Sequence, residues 1–341
     1  MLRGIFRKKS NTSLDSATST ILQAHKKLSV RTADTKDVKE KSKKAAIKAL
    51  STGIADLAAA LRDKEEELKL SDCRLLKKTS SAFAEILTES YQLLDFETRK
   101  LLISVCSKML QGIVFMQYLA NHPRILSFFV DQLSVPQIGA RNIAQRMVKD
   151  ICSYEALHQQ FFAHDGKIFW VILSGMSAKP FDIIASSTEM VMELSGSRMF
   201  RLHSKLLREL HNMLETKSSP LVPQFYAISC LRSLLTRRTN QKLMISYVSD
   251  SSNLVRLLDY STQPKSVTIQ KELFNILKLF IANPDKGESV EKLLLANKKA
   301  LLELVQKSSS SPKNATWISN YFTAPRKLET VVNANAPAES A

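Results

Sequence analysis

The chain has 341 residues, 44% of them hydrophobic, and only 8 glycines and 10 prolines. So few turn formers argue against an all-β fold and against glycine-rich phosphate loops. Lysine and arginine number 49 against 32 acidic residues, a net charge of +17, which favours an acidic partner (nucleic acid, anionic membrane or acidic protein) or marks a solvated basic face.

Residues 1–12 read as a basic, flexible leader. Met1–Lys9 is charged but precedes no apolar run, so it is not a secretory signal. Thr12 to Val30 is predicted helical, with Ile21, Leu22 and Leu28 on one face. Asp37 to about Glu67 is a stronger helix, in which Ala45, Ile47, Leu50, Ile54, Leu57 and Leu61 recur at helical spacing. Its Glu65–Glu67 end places acid at a negative helix pole, so fraying is expected there. Ser71 to Leu94 reads as a further helix or pair. Together the helices of 13–94 would cap a repeat region that starts at Asp95.

From Asp95 the pattern repeats. The helix cores Val105–Leu110, Met147–Cys152, Met190–Ser195, Leu231–Thr236 and Leu277–Ala282 start 42, 43, 41 and 46 residues apart. That is the period of armadillo and HEAT units. The dipeptides His122-Pro123, Val135-Pro136, Lys179-Pro180, Ser219-Pro220 and Asn283-Pro284 fall at predicted helix boundaries. The fold class expected is all-α, an armadillo/HEAT-like solenoid wound as a right-handed superhelix over 95–307. Its concave face, made by the last helix of each repeat, is the default binding surface. Glu288 to Lys307 would be one capping helix. In 308–341, Ser308–Pro312 reads as a linker, Trp317, Ile318, Tyr321 and Phe322 as a cluster folding back on the last repeat, and 326–341 as disordered.

Little in the chain suggests chemistry. His122, His158, His164, His203 and His211 are scattered, and no carboxylate joins His203 and His211 at ligand spacing. Calcium loop, phosphate loop, nucleophile elbow and kinase signatures are all missing. No catalytic residue, metal or cofactor is therefore expected. Cys73, Cys106, Cys152 and Cys230 lack disulfide or zinc spacing and fit a reducing cytoplasm. No apolar run reaches about 18 residues, so no membrane span is expected. Two features remain open to a binding role. Arg232, Arg237, Arg238 and Lys242 either cap a helix C-terminus or form a basic patch on the concave wall. Phe181, just after Pro180, is either core or an exposed anchor.

Ser246–Leu254 followed by Leu277–Lys286 resembles the mouse-protein-25 family, also called calcium-binding protein 39. Leu93–Glu97, Phe181–Ser186 and Leu234–Asn240 match in the same order and spacing. The resemblance covers roughly 90–325. It implies an armadillo-like scaffold without enzyme activity. Such a scaffold holds a sterile-20-class protein kinase or pseudokinase on its concave face and props the regulatory helix in its active position. In fungi the family serves a nuclear-Dbf2-related kinase pathway.

Carried over by residue, Phe181 matches a concave-face aromatic and Arg238, with Arg237 beside it, a concave-face arginine. Phe225 stands where the family has a second arginine, which removes a charge-assisted contact of about 1.5–3 kcal/mol. Leu257 and Leu258 would line a pocket for a pseudokinase tail, and Ala296 replaces a family lysine there, with Lys298 and Lys299 close to it in sequence. The implied protein is a cytoplasmic monomer before complex formation, recruited in some settings to cytoskeletal or division structures. A second reading is a helical-repeat adaptor in polarity or cell division that no longer activates a kinase. Nucleic-acid binding is disfavoured, because no basic stripe recurs in each unit.

Overall fold

The computed structural model describes residues 14–29, 36–62, 83, 85–135, 137–178, 180–215, 221–262, 266–308 and 312–323. The basic leader, the Glu65–Glu67 end, Cys73, Ser219-Pro220 and the 326–341 tail lie outside them. Among the described residues there are sixteen α-helices and no strand. The all-helical reading holds. The chain forms two compact units. One runs to Ile172 and includes Ser197–Met199, and the other comprises Leu173–Gly196 and the chain from Phe200 onward.

In the first unit α1 (Leu14–Ser29) packs on α2 (Lys36–Arg62) through buried Ile21, Leu50, Ile54 and Leu57. Gly53 permits this approach, since a Cβ there would sit 2.8 Å from Ile21 Cγ1. Within the 71–94 region the described part is not a regular helix pair. It forms a π-helical turn, Ile86–Ser90, then a 3-10 turn, Tyr91–Leu93. Asp95 ends that segment and caps the next helix. Its carboxylate accepts from the Thr98 backbone N–H at 2.9 Å and the Thr98 hydroxyl at 2.7 Å. These bonds hold the Asp95 pKa below the usual carboxylate value. The helix so capped is α3 (Phe96–Met109). It is followed by α4 (Ile113–Asn121), α5 (Pro123–Gln132), α6 (Ile138–Cys152) and α7 (His158–Ser174).

α3 and α6 lie parallel, one repeat apart. A Cβ on Gly139 would lie 2.6 Å from the Phe96 ring, so the two N-termini sit together. Near the other ends the Ser107 hydroxyl donates to the Asp150 carboxylate, 43 residues away. α7 is two helical pieces rather than one. Ala163 is extended, and His164, Asp165 and Gly166 are left-handed, with φ of 51°, 56° and 75°. The indole N–H of Trp170 donates to the Asp165 carbonyl at 2.8 Å across this break.

The second unit holds α8 (Phe181–Ser195), α9 (His203–Glu215), α10 (Leu221–Thr236), α11 (Gln241–Ser249), α12 (Ser251–Thr262), α13 (Val267–Ala282), α14 (Glu288–Ala296), α15 (Lys298–Ser308) and α16 (Pro312–Thr323). α10 is its central helix and packs on α8, α9 and α13. The expected single helix over 288–307 is broken at Asn297. That residue leaves helical geometry (φ −102°, ψ 15°), and its side-chain amide donates to the Leu293 carbonyl at 2.9 Å. A short amide that satisfies a terminal carbonyl itself favours a stop over propagation. Ile318, Tyr321 and Phe322 of the expected cluster fold back onto the preceding helices. α16 packs on α15, burying Ile318 and Phe322, and the Tyr321 hydroxyl donates to Glu291 at 2.8 Å.

A buried polar pair ties α9 to α11. His211 Nε2 lies 2.9 Å from the Tyr247 hydroxyl, and the rings stack. Burial, aided by the Arg256 charge, lowers the His211 pKa to about 4. His211 is thus a neutral core group. Among the described residues no three His, Cys, Asp or Glu side chains converge on a metal position.

Candidate partner-binding face

The layer α8–α10–α13 carries Phe181 and Phe225, and Arg237 and Arg238 follow directly on the end of α10. α8 and α10 run parallel, and two contacts fix their register. At the N-terminal ends the Phe181 and Tyr226 ring centroids are 6.1 Å apart. At the C-terminal ends the Arg237 guanidinium donates to the Met192 carbonyl at 2.9 Å. Both pairs are 45 residues apart in sequence (226−181 and 237−192). A 15-residue helix is roughly 22 Å long. Phe181 and Arg238 therefore stand at opposite ends of one layer.

The N-terminal end is apolar. Pro180 has an extended conformation that sets the start of α8 and leaves Phe181, the first helical residue, 62% exposed. Phe225 is half-buried and meets Tyr226 edge-on at 5.3 Å. The result is a row of three rings, Phe181–Tyr226–Phe225. Leu221, Val222 and Val267, at the heads of α10 and α13, are also exposed. An exposed apolar group of this kind marks an interaction surface more often than chance placement.

The C-terminal end is basic, and its two adjacent arginines differ. Arg237 is structural. It lies against Gly196, where a Cβ would fall 1.3 Å from its Nη1, and caps the last turn of α8. Arg238 is exposed and makes no hydrogen bond or ion pair among the described residues. The turn that presents it is held by Asn240, whose amide donates to the Leu234 carbonyl at 3.0 Å. Arg232 pairs with Glu272 of α13 and is not available either. Lys242 is exposed.

The residues expected to line a tail pocket lie on α12 and α15. Leu257 and Leu258 are buried in α12. Lys298 sits 5.7 Å over the Phe322 ring of α16, and Lys299 is exposed. Sequence reasoning missed Tyr226 and Gly196. Tyr226 sits in an apolar helical run that does not reveal which ring faces out. A glycine after a helix carries no signal of its neighbour, and the residue against Gly196 lies 41 residues on.

The decisive comparison covers almost the whole chain. The sequence profile of the Mo25-like family matches residues 5–320. The chain belongs to the Mo25-like family.

Its relatives are distant. A Mo25-like protein of Schizosaccharomyces pombe is 26% identical over 231 residues, covering 65% of this chain and 69% of the relative. A calcium-binding protein 39-like protein of Mus musculus is 25% identical over 263 residues, covering 71% and 74%. A putative MO25-like protein of Arabidopsis thaliana is 26% identical over 329 residues, covering 89% and 91%. Mo25-like proteins are helical-repeat scaffolds without enzyme activity, and the family binds sterile-20-like kinases. Among the described residues no helix is long and apolar enough to cross a membrane.

Proposed function

We propose that this Mo25-like chain is a scaffold that binds and allosterically activates a sterile-20-like kinase or pseudokinase, with the α8–α10–α13 layer as the contact. The observation that carries this reading is the exposure of Phe181 at one end of the layer and of Arg238 at the other. An aromatic anchor and an unpaired arginine are the residue types that dominate interface energetics. Their separation suits a broad, folded partner rather than a short peptide. Activation follows if the bound surface prefers the active position of the kinase's regulatory helix, since a scaffold shifts an equilibrium only by its differential affinity for the two states.

Phe225 gives the second reading its footing. An aromatic side chain here replaces the arginine expected from the family resemblance, so a contact used for activation is changed while the fold is kept. In that case the chain acts as an adaptor, in polarity or division, that binds without activating.

Affinity capture from the native cell separates the two, comparing wild type with the Phe181→Ala/Arg238→Ala variant. A sterile-20-like kinase retained by wild type, lost by the variant and stimulated by added purified wild-type protein supports the scaffold. A kinase that binds without stimulation supports the adaptor. Absence of any kinase refutes both the partner and the role.

A further inference from the structure

Arg141 lies on the core-facing stripe of α6 with Ala144, Val148 and Ile151, and it is nine-tenths buried. Its Nε is fully buried without a hydrogen-bond partner. No hydrogen bond or ion pair engages its side chain among the described residues. Guanidinium is always charged in proteins, and a buried N–H donor of such a group left without an acceptor is unfavourable. Asp95, at the head of α3, accepts from Thr98, and Asp150, nine residues further along α6, from Ser107.

The place of this arginine matters. It is the fourth residue of α6, and long helical side chains lean back over the preceding turn. That turn, the head of a 15-residue helix, holds no acidic residue in itself and receives no side-chain cap from Gln137. Its N–H groups and the positive helix pole therefore face the same region as the guanidinium. Ile138, the first residue, is exposed, and the Phe96 ring lies over Gly139 beside it. The arrangement is an open helix head with a largely buried guanidinium beside it, its Nε shielded from solvent, and apolar walls around it.

We propose that Arg141 and the first turn of α6 form an oxyanion-binding site, taking a phosphate or a carboxylate group. The planar fork of the guanidinium bonds two oxygens, and backbone N–H groups take a third. The site belongs to the first unit and does not depend on the kinase reading.

The test uses the full chain and inorganic phosphate or acetate, each at 1–100 mM against chloride at constant ionic strength, read by thermal unfolding. Wild type should gain a saturable rise in melting temperature, as binding to the folded state alone requires. Arg141→Met should lose it, with apparent affinity falling at least tenfold, while melting no lower than wild type in chloride. Arg141→Lys, which keeps the charge without the fork, should retain part of it. A response to phosphate alone assigns a phosphoryl group, and a response to both assigns any oxyanion. An equal response of wild type and Arg141→Met to both anions overturns the site. So does a wild type that responds to neither, because Arg141 is then a solitary buried charge. If Arg141→Met proves too unstable to melt cooperatively, Arg141→Lys decides, and an undiminished response in it to both anions overturns the forked contact.

Discussion

Phe96 and Phe181 hold the same place in their repeats, and the molecule treats them differently. Each is the first residue of a long helix, and each meets the next long helix one repeat on. In the first unit the neighbour is Gly139, so Phe96 lies down on backbone, with Lys100 Nζ 5.8 Å over its ring. In the second unit the neighbour is Tyr226, so Phe181 is propped up by another ring. Phe96 is 47% exposed and Phe181 62%. One side chain below decides whether an aromatic at this position closes a layer or presents itself.

The largest expected effect distinguishes the units by pH. His211 in the second unit is held neutral, with a pKa lowered from 6.5 to about 4. The unfolded chain takes up a proton that the folded unit refuses. Stability is therefore complete above the unfolded value and falls as pH drops from about 6.5 towards about 4, by up to about 3 kcal/mol. Hydrogen exchange should show the second unit opening first over this range. His211→Gln should flatten the dependence, and an unchanged slope would show that other groups cause it.

Next comes the phenylalanine contrast itself. Phe181→Ala should weaken kinase binding by about 2 kcal/mol, roughly thirtyfold, with little change in melting temperature. Phe96→Ala should do the reverse, lowering first-unit stability while the second-unit contact persists. Equal effects of both on binding would mean that the first unit shares the contact.

Two smaller effects test the basic end. Arg237→Ala should cost about 1.5 kcal/mol of second-unit stability, the value of one charge-assisted bond. Gly196→Ala should cost a similar amount by displacing that guanidinium, and the double variant should cost no more than either alone. Arg238→Ala should leave denaturant midpoints within about 0.5 kcal/mol while weakening the partner. In the first unit, Asp95→Ala should cost about 1 kcal/mol through loss of the α3 cap, read from the urea midpoint.

These contrasts show what the sequence could and could not reveal. The repeat period was readable because each helix carries its own apolar stripe. The fate of Phe181 was not readable. It depends on Tyr226, 45 residues later, and no local pattern says which ring supports which. Arg237 and Arg238 are adjacent and chemically identical, yet one caps α8 and the other stays free, because only Arg237 is placed against Gly196. The break at Asn297 was hidden because asparagine is tolerated within helices until its amide finds a carbonyl. Arg141 escaped notice for the opposite reason: as one of 49 basic residues, it had nothing in its surroundings to mark it as buried.

The even spacing of the cross-helix contacts bears on how the chain is made. The Ser107–Asp150, Met192–Arg237 and Arg232–Glu272 links span 43, 45 and 40 residues, and His211–Tyr247 spans 36. During synthesis a helix emerging from the ribosome waits for one further repeat before its apolar face is covered. At cellular elongation rates of about 5–20 residues per second, forty residues take roughly 2–8 seconds. The His25–Glu85 link spans 60 residues, so the exposed, aggregation-prone surface of the nascent protein stays at about one to two repeats however many repeats are added.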